Sequence, residues 1–300
     1  MSHLALLQPV PGLTRRAALI GTALAACAMR SAAAAEDAAA RLAQLERRDG
    51  GRLGVEIRDT ATGRRFGHRA DERFPLCSTF KAIAAAAVLA RADKGQDDLN
   101  RRMTYGRDAL LSYAPVTSKH VETGMTLAEL CAAAVVWSDN TAANLMLDTL
   151  GGPAGITDFA RAHGDTVTRL DRTEPTLNTA LPGDPRDTTS PAAMVGLLDH
   201  VLLGRALSGE SRARLLGWMQ ESPTGLKRVR AGLPEGWRTA DKTGTGDNGT
   251  ANVVALIHRP DGAPILAAVY LTGSPAEPAA RDALHAEIGR LIARSFPGGA

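Results

Sequence analysis

The chain lacks the sequence features that mark several large classes of protein. The apolar run from Ala17 to Met29 is too short to cross a bilayer. The seven histidines form no His-x-x-x-His pair or other zinc-ligand cluster. A Gly-x-Ser-x-Gly sequence is also missing, which argues against an α/β-hydrolase, and no internal repeat divides the chain. Its 300 residues, 44% of them hydrophobic, fit one large domain or two interlocked ones.

The chain also has no net charge when residues 1–35 are left out of the count. The formal charge of +3 comes from Arg15, Arg16 and Arg30, because residues 1–35 contain no acidic side chain. Without those three, the 35 lysines and arginines become 32, against 32 aspartates and glutamates. We therefore expect neither a nucleic-acid partner nor binding to an anionic membrane surface.

The first 35 residues have the pattern of an export signal. The Arg15-Arg16 pair before a short apolar run is typical of a twin-arginine signal, and a plain secretory signal is the alternative. Small residues at Ala33 and Ala35 predict cleavage after Ala35. The sequence ending in Cys27 also resembles a lipoprotein cleavage site. We expect an exported, periplasmic protein with no membrane partner unless Cys27 is lipidated.

Hydrophobic periodicity predicts strands near both ends of the chain and helices between them. Strands are expected at Arg52–Asp59, Arg64–His68, Trp237–Gly244, Ala251–Arg259 and Pro264–Thr272, and terminal helices at Asp37–Arg47 and Ala279–Phe296. The fold class is therefore α+β, an αβα sandwich in which N- and C-terminal strands form one antiparallel sheet. One catalytic domain over 36–300 is expected, with an α/β part at about 36–75 and 220–300 and a discontinuous all-helical lobe at about 76–219.

Four short motifs occur in order along the body of the chain. They are Ser78-Thr79-Phe80-Lys81, Ser138-Asp139-Asn140, Glu174-Pro175-Thr176-Leu177-Asn178 and Lys242-Thr243-Gly244. The run after Ser78 is apolar nearly all round, which predicts a buried helix. Lys81 lies one turn after Ser78 on the same face of that helix, so its amine is expected within hydrogen-bonding reach of the hydroxyl. The set supplies a nucleophile, proton carriers and a cation for a carboxylate.

Each motif has a purely structural alternative. Ser78 could cap the helix while Lys81 is solvated, and Asp139 is expected to cap the next helix rather than catalyse. Lys242 could be an edge-strand lysine that discourages aggregation, with the following glycine allowing close backbone approach by a ligand. The joint order and spacing of the four motifs favours the catalytic interpretation.

The ordered motifs resemble those of the class A serine β-lactamases over about residues 50–295. The resemblance includes Asp171-Arg172-x-Glu174-x-x-x-Asn178 and Asp184–Thr188, which are similar to that family's Ω-shaped loop, and Tyr113, placed like its cleft-wall aromatic. It implies hydrolysis of penicillins and cephalosporins through an acyl-enzyme, without a cofactor or metal. The partner would be a small-molecule β-lactam and the mature protein a monomer.

The same resemblance implies roles for individual residues. Ser78 would be the nucleophile, with the backbone N–H groups of Ser78 and Thr245 around the oxyanion. The other catalytic residues would be Lys81, Ser138, Glu174 and Asn178, and the substrate-binding residues Asn140, Tyr113, Lys242, Thr243, Thr245 and Arg228. Whether Lys81 or Glu174 accepts the first proton stays open. Arg228 is assigned to the substrate carboxylate because Thr250-Ala251-Asn252 lacks the arginine of many members, and Arg230 is its nearby alternative.

Two other classes share the Ser-x-x-Lys nucleophile. A D-Ala-D-Ala carboxypeptidase would use the same chemistry on peptidoglycan, and a β-lactam sensor domain would bind its ligand covalently without turnover. Both lack a base for the hydrolytic water, whereas this chain carries Glu174 and Asn178.

The resemblance also predicts how the loop and the cysteines behave. Arg172 and Asp187 match a family pair that joins the two ends of the loop, and the Glu174-Pro175 bond could be cis. Cys77 and Cys131 are expected to stay unpaired, because the family's partner positions hold Gly246 and Ala85.

Overall fold

A computed structural model of the protein describes residues 35–260 and 262–297. The proposed export signal, Cys27 included, lies outside the described residues. Helices α1 to α8 occupy 35–49, Phe80–Asp93, Leu127–Val136, Asn140–Thr149, Ala154–Ala162, Pro191–Leu202, Gly209–Glu221 and Pro278–Ser295. Strands β1 to β9 occupy Arg52–Asp59, Arg65–His68, Phe74–Pro75, Arg102–Met103, Met125–Thr126, Thr188–Thr189, Arg238–Gly246, Thr250–His258 and Ile265–Thr272.

One antiparallel sheet of five strands, in the order β2-β1-β9-β8-β7, joins the two ends of the chain. The predicted α+β class and its sheet are confirmed, and the strand limits differ from the predicted ones by one or two residues. Strand β7 runs two residues further than predicted, to Gly246, because Thr245 and Gly246 still pair with β8. The strand therefore carries the whole Lys242–Thr245 segment past the helical lobe.

The two faces of the sheet pack against different layers. On β9, Ala267 and Val269 belong to the core shared with α1 and α8, whereas Ala268 and Tyr270 belong to the core shared with the lobe. All eight residues of β9 are buried, because helices cover both faces. The sheet is thus the middle layer of a sandwich.

Helix α2 forms the centre of the helical lobe. Its residues from Phe80 to Ala90 are all buried, as predicted for a helix that is apolar nearly all round. The predicted capping box at Thr126 and Glu129 is present, and Ser190 caps α6 with Pro191 in its first turn. These caps fix where the helices around α2 begin.

Cys77 and Cys131 are both buried and unpaired, so the prediction from the family's disulfide positions is confirmed. Burial raises the pKa of each thiol, so both stay protonated and inert. None of the helices in the described ranges is long and apolar enough to cross a membrane.

Candidate active site

Ser78 lies in a 3-10 turn, Cys77–Thr79, that leads into α2. Neither this turn nor α2 has a side-chain cap, so the capping alternative for Ser78 is wrong. The Ser78 hydroxyl instead donates a hydrogen bond of 3.2 Å to Glu174 Oε1. The residue before it, Cys77, has a φ of 43°, which few side chains adopt without cost. Such strain is common where a side chain is held for function.

Gly244 brings strand β7 against this turn. A Cβ atom on Gly244 would lie 2.9 Å from the carbonyl oxygen of Leu76 and 3.2 Å from the amide nitrogen of Ser78. The sequence predicts close backbone approach of a ligand at this glycine, and the structure shows that the protein's own backbone also comes close there. Glycine is needed because the turn and the strand meet without room for a side chain.

Lys81 is fully buried, so the solvated-lysine alternative is wrong. Its Nζ atom lies 2.9 Å from Glu174 Oε1, 2.6 Å from Asn140 Oδ1 and 2.8 Å from the carbonyl oxygen of Ser138. Among the described residues, no hydrogen bond joins Lys81 to Ser78, in contrast to the expected direct contact. Both groups donate to the same carboxylate oxygen, because an ionised carboxylate is a stronger acceptor than a hydroxyl.

Glu174 is buried and held through both its backbone and its side chain. Asn144, on α4, accepts a hydrogen bond of 2.9 Å from the Glu174 amide and donates one of 3.0 Å to its carbonyl. Asn178 Nδ2 donates to Glu174 Oε2, while Asn178 Oδ1 is buried without a partner among the described residues. The peptide bond between Glu174 and Pro175 is cis. The carboxylate is therefore fixed between Ser78 and Asn178.

Ser138 stands between the two lysines. Its Oγ atom lies 3.0 Å from Lys242 Nζ and 3.4 Å from Lys81 Nζ, and its φ is 60°. Lys242 is fully buried, although β7 is an edge strand, so it is not a solvated edge-strand lysine. Two cations thus converge on one hydroxyl.

The electrostatics of this cluster favour mobile protons. Burial lowers the pKa of Lys81 below its ordinary range, and Glu174 opposes that shift without cancelling it. Burial also lowers the pKa of Lys242 strongly, and the positive charge of Lys81 adds to the effect. Amines with depressed pKa values can both donate and accept protons near neutral pH.

Asp139 is a structural residue, as predicted. Its carboxylate caps α4 through the amide of Ala142 and accepts hydrogen bonds from Thr117 and from the amide of Val116. The side chain is fully buried. It ties the start of α4 to the segment that follows Tyr113, and thereby fixes one wall of the cleft.

Arg228 lies beside the C-terminal end of β7, where it contacts Thr245. Arg230, the alternative candidate for the substrate carboxylate, pairs instead with Asp241. Arg228 donates to Thr245 Oγ1 at 2.8 Å and to Asp282 at 3.0 Å. Two carbonyl oxygens, of Gly244 and Asn252, accept its remaining contacts. The guanidinium is therefore held beside the hydroxyl of Thr245.

The predicted ion pair at the base of the loop is present. Arg172 Nε lies 2.5 Å from Asp187 Oδ2, and Asp187 Oδ1 accepts the amides of Asp171 and Arg172 at 2.8 and 2.9 Å. Asp187 is fully buried. These contacts close residues 171–187, which we call the catalytic loop, at its two ends.

The predicted residues line or back one cleft of about 290 Å³. Its walls carry Ser78, Tyr113, Ser138, Asn140, Asn178, Thr224, Arg228, Thr243 and Thr245. Lys81, Glu174 and Lys242 are buried and in contact with those walls. Tyr113 is half exposed, and its carbonyl accepts the amide of Asn140. In residues 35–260 and 262–297, no three His, Cys, Asp or Glu side chains are grouped as metal ligands.

Sequence reasoning missed several residues that shape this cleft. Asn144 follows Asn140 by four residues, a helical spacing that places both on one face of α4. Thr224 accepts a hydrogen bond of 2.7 Å from Thr243. Asn252, noted only for not being an arginine, donates to the carbonyls of Pro75 and Leu76 and so supports the Ser78 turn. Only Asn144 carried a sequence signal.

Comparison with known proteins places the chain in a family. A model described as the Beta-lactamase enzyme family matches residues 37–296. β-Lactamase OXY-2 of Klebsiella oxytoca is 50% identical over 232 residues, which are 77% of this chain and 80% of that protein. β-Lactamase CTX-M-97 of Escherichia coli is 47% identical over 255 residues, 85% of this chain and 88% of the relative.

Solved structures agree with the sequence matches. An ancestral class A β-lactamase superposes with a TM-score of 0.85 at 60% identity, covering 86% of this chain and 100% of its own. At this identity and coverage the likeness extends beyond the fold. The chain belongs to the β-lactamase enzyme family, within its class A, and is an enzyme that hydrolyses β-lactams.

Proposed function

We propose that the enzyme opens penicillins and cephalosporins in two half-reactions, acylation of Ser78 and hydrolysis of the resulting ester. The observation that carries this proposal is the double contact at Glu174 Oε1, which accepts the Ser78 hydroxyl and lies 2.9 Å from the Lys81 ammonium. One carboxylate is thereby in contact with the nucleophile and with a buried proton donor. That arrangement fits a base that must act and be restored within each cycle.

In acylation, the Ser78 oxygen forms a bond to the lactam carbonyl carbon as its proton leaves. We assign the acceptor to Lys81, because its amine has a depressed pKa and lies 2.9 Å from the carboxylate oxygen to which the hydroxyl donates, so it can take the proton even where Glu174 is replaced. The oxyanion would be held by the backbone N–H groups of Ser78 and Thr245. When the carbon–nitrogen bond breaks, Ser138 would protonate the leaving nitrogen and be reprotonated by Lys242, 3.0 Å away.

In deacylation, a water molecule must give up a proton and attack the ester. Asn178 Oδ1 is a buried acceptor without a partner in the part of the chain that the structure describes, and its amide nitrogen donates to Glu174. A water bound to both residues would satisfy that acceptor and would stand beside the base. Glu174 would take its proton while the water oxygen bonds to the carbonyl carbon, and would return that proton to the Ser78 oxygen as the ester bond to Ser78 breaks.

Recognition of the substrate carboxylate is assigned to Thr243, Thr245, Lys242 and Arg228. The hydroxyl of Thr245 contacts Arg228 at 2.8 Å, so the two can meet one anion together. Asp282 holds the other side of the guanidinium at 3.0 Å. Asn140 would position the substrate amide, and the exposed ring of Tyr113 would pack against the body of the drug.

The alternatives, a D-Ala-D-Ala carboxypeptidase and a β-lactam sensor, are disfavoured by the elaborate support of Glu174. Asn144 grips its backbone from both sides and Asn178 contacts its side chain. Such support fits a base for rapid attack by water, which proteins of both alternative classes lack.

The wider organisation is part of the same proposal. We assign 1–35 to a cleaved export signal and 36–300 to the catalytic domain, made of an α/β part (36–75 and 220–300) and a helical part (76–219). The mature enzyme would be a periplasmic monomer. Purification from a periplasmic extract, with N-terminal sequencing and light scattering, tests these assignments.

Mass spectrometry of the intact protein after mixing with benzylpenicillin tests the two half-reactions. The parent enzyme should return to its own mass within the mixing time, and Ser78→Ala should never gain mass. Glu174→Ala should acylate and then keep the adduct, because loss of a general base slows its step by about a thousandfold. The matched control is Glu122→Ala, whose side chain is 83% exposed. Fast turnover by Glu174→Ala would overturn the role given to Glu174.

A further inference from the structure

A second cavity, larger than the catalytic cleft, lies elsewhere in the described residues. It measures about 450 Å³, against about 290 Å³ for the cleft, and shares no lining residue with it. One wall is the second half of the catalytic loop, residues 180–185, and the opposite wall comes from residues 50–52 and 272–273. Volumes of this size are typical of sites for small ligands.

The cavity carries positive charge that the protein does not neutralise. Arg73 lines it, and its guanidinium contacts only neutral acceptors, the Val167 carbonyl at 2.8 Å and Thr188 Oγ1 at 3.0 Å. No described carboxylate lies within 4 Å of Arg73. Asp184 also lines the cavity, but both its oxygens already accept hydrogen bonds from Arg186. The cavity therefore suits an anion.

Arg52 also lines the cavity but is paired with Glu72 at 2.9 Å, and one part of the remaining lining is apolar and rigid. Leu181 is 51% exposed, one of four large hydrophobic side chains in the described ranges that remain open to solvent. Pro75, Pro182 and Pro185 line the same space, and proline fixes its own backbone. A wall of this kind is formed before a ligand arrives, which lowers the entropic cost of binding.

We propose that this cavity, which we call the loop cavity, binds a small organic carboxylate with a flat apolar body. The carboxylate would pair with Arg73, whose planar guanidinium matches it with two parallel hydrogen bonds. The apolar body would lie against Leu181 and the prolines. Charge and apolar surface stand in one space, so neither a purely polar anion nor a neutral ring would satisfy both.

A ligand bound in the loop cavity would contact the catalytic loop and could change its position. Asn248 lines the cavity, and its side chain donates to the carbonyls of Thr179 and Ala180 at 2.9 and 3.1 Å. Asp247, its neighbour, donates its amide to the Asn178 carbonyl at 2.9 Å. A ligand in contact with Ala180 would thus touch the residue that follows the 3-10 helix Thr176–Thr179, which contains Asn178.

The test is NMR with 2-naphthoate as the probe and the neutral 2-naphthamide as its matched control. Four glycines line the loop cavity, Gly50, Gly51, Gly183 and Gly273, and their ¹⁵N amide signals report on it directly. We expect saturable shifts of these signals with 2-naphthoate, and about tenfold weaker binding of the amide, since it lacks the charge-assisted pair. Signals of Asn140 and Thr245, in the catalytic cleft, should not move.

Two substitutions separate charge from shape. Arg73→Gln should weaken 2-naphthoate about tenfold and Arg73→Lys much less, because lysine keeps the charge. Leu181→Asp places a carboxylate on an exposed side chain at the same cavity, so it should weaken the probe without disturbing the fold. Shifts centred on the catalytic cleft, or the absence of a saturable shift, would overturn the proposal. So would variants Arg73→Gln and Leu181→Asp that bind 2-naphthoate as tightly as the parent protein does. None of these readouts depends on β-lactam turnover.

Discussion

The molecule contains two buried charge networks that are built in opposite ways. In the cleft, two fully buried lysines lie near one carboxylate: Lys81 pairs with Glu174, whereas Lys242 contacts the Ser138 hydroxyl and forms no ion pair among the described residues. At the base of the catalytic loop, one carboxylate, Asp187, meets the side chain of Arg172 and accepts two backbone amides. The first network is short of negative charge, whereas the second is balanced and saturated.

The difference follows from what each network must do. A balanced, fully hydrogen-bonded pair in a low-dielectric interior has one favourable arrangement, so it holds two chain segments in register. In the cleft, burial lowers the pKa of both amines, and the charge of Lys81 adds to the shift of Lys242, so protons can move between the members at small cost. We infer that the cleft gives up stability for reactivity and that the loop base does not.

The largest effect is expected from neutralising the cleft. Lys81→Met keeps the length of the buried side chain but removes its charge, so acylation of Ser78 should fall by about a thousandfold. The free energy of unfolding should fall by less than at the loop base, because loss of the 2.9 Å contact with Glu174 is offset by removal of a desolvated cation. Stopped-flow acylation and urea denaturation measure the two quantities. A loss of stability comparable to that expected at the loop base would break the comparison.

Removing Asp187 from the balanced network should instead lower stability strongly and slow deacylation more than acylation. Asp187→Ala leaves Arg172 and two amides without their acceptor and should lower the free energy of unfolding by about 3 kcal/mol. The loop that positions Glu174 should loosen, so deacylation should slow more than acylation. Asp187→Asn is the matched control, since it keeps an acceptor for the amides and should lose about half as much. Unchanged kinetics in Asp187→Ala would contradict the role of the pair.

A smaller effect, on the pH dependence of stability, is expected from His285, a buried titratable group outside the cleft. His285 is fully buried behind Arg228; its Nδ1 contacts the Arg281 carbonyl at 2.9 Å and its Nε2 has no partner among the described residues. Burial, and secondly the charge of Arg228, lowers the pKa of His285 from 6.5 to about 4, while Asp282 opposes the shift. The imidazole is therefore neutral at pH 7.

The sign of the pH effect follows from that depressed pKa. Between about pH 6.5 and pH 4 the unfolded chain binds a proton at His285 and the folded chain does not, so stability falls as the pH falls. From about pH 7.5 to 4.5 this group should cost about 2 to 3 kcal/mol. His285→Gln should remove that part of the decline, as measured by urea denaturation at several pH values. Parallel pH profiles for parent and variant would show that the residue is not held neutral.

The sequence predicted the layers of the fold because their signals are local. Alternating apolar residues mark β1, a continuous apolar run marks β9, and the capping box at Thr126 and Glu129 marks the start of α3. The residues of the cleft were predicted because four motifs occur in a family's order. Their spatial partners were not, since the grip of Asn144 on Glu174 depends on chain segments 30 residues apart.

Some sequence predictions were wrong for the same reason. Lys81 was expected to contact Ser78, because helical spacing brings the two side chains to one face. The nearest strong acceptor for both, however, is Glu174, which is 96 residues from Ser78 along the chain. The capping alternative for Ser78 is wrong as well, because no local pattern shows that its hydroxyl meets Glu174.

The close packing of Gly244 against the Ser78 turn has a consequence for folding. The hydrogen bond between Lys242 and Ser138 spans 104 residues, so the cleft cannot form until the late sheet strands dock on the helical lobe. Contacts of such long range form slowly, because a large loop must close before they stabilise anything. Recovery of hydrolysis during refolding should therefore lag behind recovery of helical circular dichroism, and activity marks the arrival of the last strand rather than the collapse of the chain.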